Sequence, residues 1–220
     1  MSVIELISNV IQPLSASDTV QKVVDRMAEF RVSHLPIVYD NQFFGLISED
    51  DMIDITDYQM PIGAIDFSLV HPYIFEDQHV YDAIRVFSDS KLTVIPVLNY
   101  EMEYLGLITL NSIVENLAIF TSATQSGGII VLEINNRDNS LAHIAQIVES
   151  ENAQILSSYV NVIPNSTKLE VTIKVNKSDI TQIIASFLRY EYIISATYNY
   201  SDKDNGSSDR FDSFMNYLNF

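Results

Sequence analysis

Residues 33–51 read SHLPIVYDNQFFGLISEDD, and residues 93–112 read TVIPVLNYEMEYLGLITLNS. Each stretch runs apolar through a proline, breaks at a polar turn, and runs apolar again through a glycine. Each then closes on a Ser or Thr that opens a polar segment. A chain that repeats such an order within 220 residues builds one structural unit twice. Val20, Val24, Met27, Leu35, Pro36 and Ile37 fall on Val80, Ile84, Phe87, Ile95, Pro96 and Val97 at an offset of 60. Beyond the turn the offset becomes 61, so Gly45, Leu46, Ile47 and Ser48 fall on Gly106, Leu107, Ile108 and Thr109. The extra residue sits in the loop, where insertion costs little.

The local pattern of each copy is readable. Asp18 stands before Thr19, Val20 and Gln21 as an N-cap with Gln at the third helical position, a capping-box pattern. Val20, Val23, Val24, Met27 and Phe30 recur at helical spacing and form one apolar face. Two apolar strands, Leu35 to Tyr39 and Phe43 to Ile47, flank the turn Asp40-Asn41-Gln42. Ser48 is read as the cap of a second helix that turns Met52, Ile53 and Ile55 inward. The second copy predicts a helix over about 78–90, strands near 93–98 and 103–108, and a helix over about 110–120. Neither copy covers both faces of so small a sheet, so the two are expected to pack about a pseudo-two-fold axis.

Composition narrows the function. Twelve basic against 29 acidic residues give a net charge of −17, which repels phosphate backbones and anionic lipid and argues against nucleic-acid and membrane partners. Without cysteine there is no disulfide, thiolate nucleophile or thiolate metal site. The start MSVIELISNV has Glu5 where a secretory leader carries basic residues, and no apolar run reaches the roughly 20 residues of a membrane span. A cytoplasmic location is the expectation. His34, His71, His79 and His143 have no metal-ligand spacing, and the nucleophile-elbow, P-loop and dinucleotide-binding glycine motifs are absent, so no catalytic residue is assigned.

The order helix, LPIV strand, hairpin, GLIS strand and SEDD resembles a cystathionine-β-synthase (CBS) domain, and its repetition resembles a CBS pair, or Bateman module, over about residues 1–120. The resemblance implies two βαββα-type repeats, residues 1–59 and 60–120, with clefts that bind adenine nucleotides or related adenosyl ligands. In the family's [ST]-x-x-D motif the hydroxyl and carboxylate hold the ribose, which assigns Ser48 and Asp51 here. Adjacent sugar hydroxyls can donate to one carboxylate. The bland alternative is a Ser-capped helix start with acids in its first turn, and the two roles are compatible. The second copy has Thr109, Asn111 and Ser112 and lacks the carboxylate, so these are weaker candidates. The family's phosphate-facing basic positions are Ser33 and Thr93 here, with His34 one place later. With few local cations, adenosine, AMP or an S-adenosyl compound fits better than ATP. No cofactor is otherwise expected.

Residues 121–128 (TSATQSGG) read as a linker. Beyond it a strand over 129–134, a helix from Leu141 to about Glu151, strands over 154–163 and 168–175, a helix over 179–190 and a strand over 193–200 spell βαββαβ, the ferredoxin-like order. The block 129–200 resembles an ACT domain, which implies pairing between chains and hence a homodimer. The family's Pro-Gly turn is replaced by Arg137-Asp138-Asn139-Ser140-Leu141, where Ser140 works as an N-cap. The fold class is therefore mixed α+β and α/β, a CBS pair followed by an ACT-like domain, an architecture that resembles the acetoin-utilisation accessory proteins. Residues 201–220 form a polar spacer and then an amphipathic helix with Phe211, Phe214, Met215 and Leu218 on one stripe, expected to dock on the body or on a second chain. The functional expectation is a non-catalytic sensor of an adenosine-type metabolite that acts on a regulated protein partner. A ligand-free dimeric scaffold is the alternative.

Overall fold

The computed structural model describes residues 1–135 and 140–200, which divide into two compact units, Met1–Asn116 and the described residues from Leu117 onward. In the first unit, helix α1 (Val20–Phe30) buries Val20, Val23 and Met27. Its counterpart α2 (Val80–Ser90) buries Val80, Ala83 and Phe87, each 60 positions on. Both helices end on a left-handed residue, Arg31 and Lys91, at φ 53°. Strands β1 (His34–Tyr39) and β2 (Gln42–Ser48) form an antiparallel hairpin. The positive φ of Asp40 and Asn41 makes its tip a tight two-residue turn of the kind that matches strand twist. A second sheet holds β3 (Ile74–Phe75), β4 (Val94–Leu98) and β5 (Tyr104–Thr109) in the order β3-β4-β5. Helix α3 (Leu110–Phe120) follows β5 directly.

The two copies share one hydrophobic core that takes Val23, Leu35 and Ile47 from the first and Ala83, Ile95 and Ile108 from the second. Each fully buried Val, Leu or Ile among them contributes about 1.5–3 kcal/mol. The sharing extends to the backbone, because the copies exchange their leading arms. Ser8 N–H donates to Leu107 O in the second copy, and Leu46 N–H of the first donates to Val70 O, both at 2.8 Å. Met1 O receives the N–H of Val80 at the start of α2, and Met60 O receives that of Val20 at the start of α1. This reciprocity is the expected pseudo-two-fold pairing. Residues 1–9 complete the second copy, and residues 60–70 complete the first.

Three local readings are corrected. The N-cap of α1 is Thr19, whose hydroxyl accepts from Lys22 N at 3.3 Å. Asp18 instead takes the Lys22 ammonium at 2.6 Å and the Ser15 N–H at 2.9 Å, and these contacts hold its carboxyl below the ordinary value against the burial that opposes them. The second helix of the first copy is only a 3-10 turn, Asp50–Met52. Met52 is buried and Ile55 packs partly buried against the same core, but Ile53, expected inward, is 73% exposed. Third, the 121–128 spacer is shorter than its composition suggests, since β6 (Gly127–Asn135) begins at Gly127.

The second unit has the ferredoxin-like order expected of it: β6, α4 (Leu141–Ser150), β7 (Ile155–Val162), β8 (Lys168–Val175), α5 (Thr181–Arg189) and β9 (Ile193–Tyr200). Its four-stranded sheet runs β7-β8-β6-β9, with all neighbours antiparallel. Ile130, Leu132 and Ile134 alternate onto the helix-covered face, against Ile144, Val148, Ile183 and Phe187. Ser140 caps α4 as expected, accepting from His143 N at 3.2 Å. On the other face Lys174 is buried and its Nζ donates to Ser122 O (2.6 Å) and Ala123 O (3.3 Å). Arg137, Asp138 and Asn139, like the amphipathic stripe of the tail, lie outside the described residues.

Candidate functional site

Ser48 is the last residue of β2 and Asp51 lies in the 3-10 turn that follows. The turn brings the carboxylate back over the strand end. Asp51 Oδ2 accepts from both the backbone N–H and the hydroxyl of Ser48, each at 2.7 Å, and Asp51 N–H returns a bond of 3.3 Å to Ser48 Oγ. Among the described residues no donor reaches Oδ1. The carboxylate is therefore positioned through one oxygen and presents the other, half-buried. That geometry can accept a hydroxyl from a bound molecule, although the expected two-oxygen grip on a sugar is reduced to one open oxygen and what remains of Oδ2.

Hydrogen bonding gathers more of the candidates here. His34 faces Ser48 directly across the β1–β2 ladder. Its Nδ1 lies 3.1 Å from Thr93 Oγ1 and takes the Thr93 backbone N–H at 3.4 Å. Thr93 Oγ1 already accepts Ser33 N–H at 2.9 Å, so its own hydrogen is free to point at the imidazole. Nδ1 thus acts as acceptor and the proton resides on Nε2. Burial pushes the His34 pKa below its ordinary value, while Asp50 and Asp51 pull it back up. Ser33 Oγ donates to Glu49 Oε2 at 3.1 Å. Ser33, His34 and Thr93 therefore form one hydrogen-bonded group, and the β1–β2 ladder sets it opposite the separately bonded Ser48–Asp51 pair.

The second copy closes on itself. Thr109 N–H donates to Ser112 Oγ (3.2 Å), Ser112 N–H to Thr109 Oγ1 (3.0 Å), and Ser112 Oγ to Thr109 O (2.8 Å). This pair acts as a helix start for α3 and offers no charged acceptor. Asn111 is exposed, and no side-chain hydrogen bond holds it among the described residues. Two residues escaped the sequence reading: Glu49, partner of Ser33, and Asp50, whose field acts on His34. Both stand in the acidic run after Ser48, but only tertiary folding shows which basic or hydroxyl groups they meet.

Residues 3–57 and 68–119 match the CBS domain family. The chain carries two CBS domains in tandem. Among solved structures it is similar to a CBS domain pair/ACT domain protein from Thermotoga maritima, at 21% identity over 53% of this chain and 96% of that one, with a TM-score of 0.48. It is similar also to the CBS domains of a transcriptional regulator from Streptococcus pneumoniae, at 17% identity over 52% and 98% of the two chains, TM-score 0.45. A third similar structure is CBSX2 in complex with AMP, at 17% identity over 53% and 95%, TM-score 0.45.

Along the chain around the first CBS domain's motif, between Arg31 and Arg85, the charge is one-sided. From Val32 to Ile84 there is no Lys or Arg, while ten Asp and Glu occur. A concavity of about 250 Å³ lies beside α1, lined by Val24, Met27, Ala28, Arg31, Val32, Ser33 and Glu49. It touches the Ser33–Glu49 pair but not Ser48 or Asp51, and it is smaller than the roughly 300–1,000 Å³ of typical small-molecule pockets. No group of His, Asp and Glu among the described residues has the arrangement of a metal site, and no described helix is long and apolar enough to cross a membrane.

Proposed function

We propose that the chain is a non-catalytic, cytoplasmic regulatory protein whose CBS pair binds an adenosine-containing metabolite of low charge. Ser48 and Asp51 take the ribose, with Ser33, His34 and Thr93 beside them and Thr109, Asn111 and Ser112 in a subordinate role. The domains are the two CBS copies, 1–59 and 60–120, and, after a linker that ends before Gly127, the ACT-like unit from β6 to β9, which pairs two chains into a homodimer. The observation that carries the reading is the open, half-buried Oδ1 of Asp51, fixed in place by two 2.7 Å bonds from Ser48. An acceptor so prepared suits a hydroxyl donor. The lack of basic residues from Val32 to Ile84 supports adenosine, AMP or an S-adenosyl compound over a triphosphate.

Titration calorimetry of these three compounds and ATP against the wild type and Asp51→Ala tests the assignment. The expected result is a loss of about fivefold or more in affinity with the dimer intact. Equal affinity removes Asp51 from the site.

The small concavity favours a second reading, in which the CBS pair only organises a scaffold for a regulated protein partner. A thermal-shift screen separates the two, because a ligand selective for the native state raises the melting temperature. No shift at millimolar ligand supports the scaffold.

A further inference from the structure

The two hairpin tips of the CBS pair meet at one edge of the unit. Gln42 bridges Glu103, and Tyr104 N–H donates to Asn41 O at 2.7 Å. Segment 73–77 joins them, because β3 pairs with β4 and the Phe75 ring stacks on Tyr100 at 4.8 Å and 19°. This edge is aromatic and exposed: Tyr39 is 61% accessible, Phe44 51%, Tyr100 65% and Met102 41%. The rings are also held in place. Tyr39 and Phe44 pack edge to face at 6.5 Å. Tyr100 is clamped between its stack on Phe75 and a 2.7 Å bond from its hydroxyl to Asp77 Oδ2, which lifts its phenol pKa.

The three segments of this edge carry charge of one sign, although the Arg26 charge on α1 reaches the buried Tyr104. Segments 39–44, 73–77 and 99–104 contain Asp40, Glu76, Asp77, Glu101 and Glu103 and no Lys or Arg. None of these carboxylates forms a salt bridge among the described residues. Fixed aromatic faces among carboxylates that have no cationic partner form a receptor for guanidinium, which stacks on a ring and pairs with an acid at the same time. Exposed Tyr, Phe and Met in one patch are the composition of an interface centre, and their prior ordering reduces the entropy lost on binding. We propose that the joined hairpin tips are a docking surface for an Arg-rich segment of another protein. The proposal does not rest on metabolite binding at Ser48 and Asp51.

The test uses the full chain and an acetylated nonapeptide of alternating Arg and Ser, with Lys and citrulline versions, in calorimetry at about 50 mM salt, where screening is modest. The Arg peptide is expected to bind at least threefold tighter than the Lys peptide, and the citrulline peptide not at all. Tyr39→Ala/Phe44→Ala/Tyr100→Ala is expected to weaken Arg-peptide binding at least fivefold, and Phe44→Lys alone to do the same if the triple variant is unstable. Asp25→Asn/Glu29→Gln, on the exposed side of α1, is expected to change it less than twofold. Equal losses in the aromatic and α1 variants would show charge alone at work and overturn the proposal. So would equal binding of the citrulline peptide, or a triple variant that turns dimer into monomer without affecting the peptide, which would mark the patch as a contact between copies.

Discussion

A Cβ on Gly45 would lie 2.7 Å from the Cβ of Leu69, and one on Gly106 would collide with Cγ2 of Ile7. The glycine of each repeated strand is thus the point where the other copy's leading arm crosses it. Its φ, +149° at Gly45 and +151° at Gly106, adds a backbone reason for the absence of a side chain. Gly45→Ala and Gly106→Ala are each expected to destabilise by about 2–4 kcal/mol, combining overpacking with backbone strain. Urea denaturation measures this, and a cost near zero for either would mean the arm does not seat there.

Tyr104 carries a buried hydroxyl with no hydrogen-bond partner among the described residues, and burial pushes its pKa up. The matching residue of the first copy is Phe43, so the fold accepts a ring there without the hydroxyl. Tyr104→Phe should be neutral or stabilising by up to about 1 kcal/mol, since it removes a desolvated polar group and breaks no bond. A loss of stability in the denaturation midpoint would reveal a hidden partner.

His34 makes folding sensitive to mild acid. Its folded-state pKa is depressed below the ordinary value of about 6.5, first by burial, so at lower pH the unfolded chain takes up the proton before the folded one does. This contribution is fully present above about pH 6.5 and is lost as pH falls towards the folded-state pKa. His34→Asn, which keeps an acceptor for Thr93 N–H, should flatten the decline in unfolding free energy between about pH 7 and 5.5. Parallel wild-type and variant curves over that range would refute the assignment.

The second copy lacks only a carboxylate to match the first. In Ser112→Asp the new side chain can accept the Thr109 N–H and hydroxyl as Asp51 accepts those of Ser48, at the start of α3 where negative charge is favoured. A gain of about 0.5–1 kcal/mol is expected, visible as a rise of a few degrees in the melting temperature. An unchanged or lower midpoint would show that the first turn of α3 cannot take up the geometry of the 3-10 turn.

Periodicity made much of this molecule legible. The stripe Val20, Val23, Met27 and its echo Val80, Ala83, Phe87 named the buried faces of α1 and α2, because helix burial follows a 3.6-residue spacing whatever the helix packs against. The strands around Pro36 and Pro96 and the βαββαβ order of the second unit were readable for the same reason. Helix ends were less so: Asp18 and Thr19 are both competent caps, and a neighbouring Lys22 decided between them by claiming Asp18. The element after Ser48 is a 3-10 turn that puts Met52 and Ile55 on the core and leaves Ile53 outside.

By itself the sequence determined that two like halves exist and that the first alone has an acid after its Ser, since both follow from residue order and local spacing. Tertiary structure decided what that acid could do. Contacts such as His34 with Thr93, or Ser33 with Glu49, join residues 59 or 16 positions apart, and no local rule specifies them. They form because the halves exchange arms and close a common core, and that closure selects which polar groups are buried together.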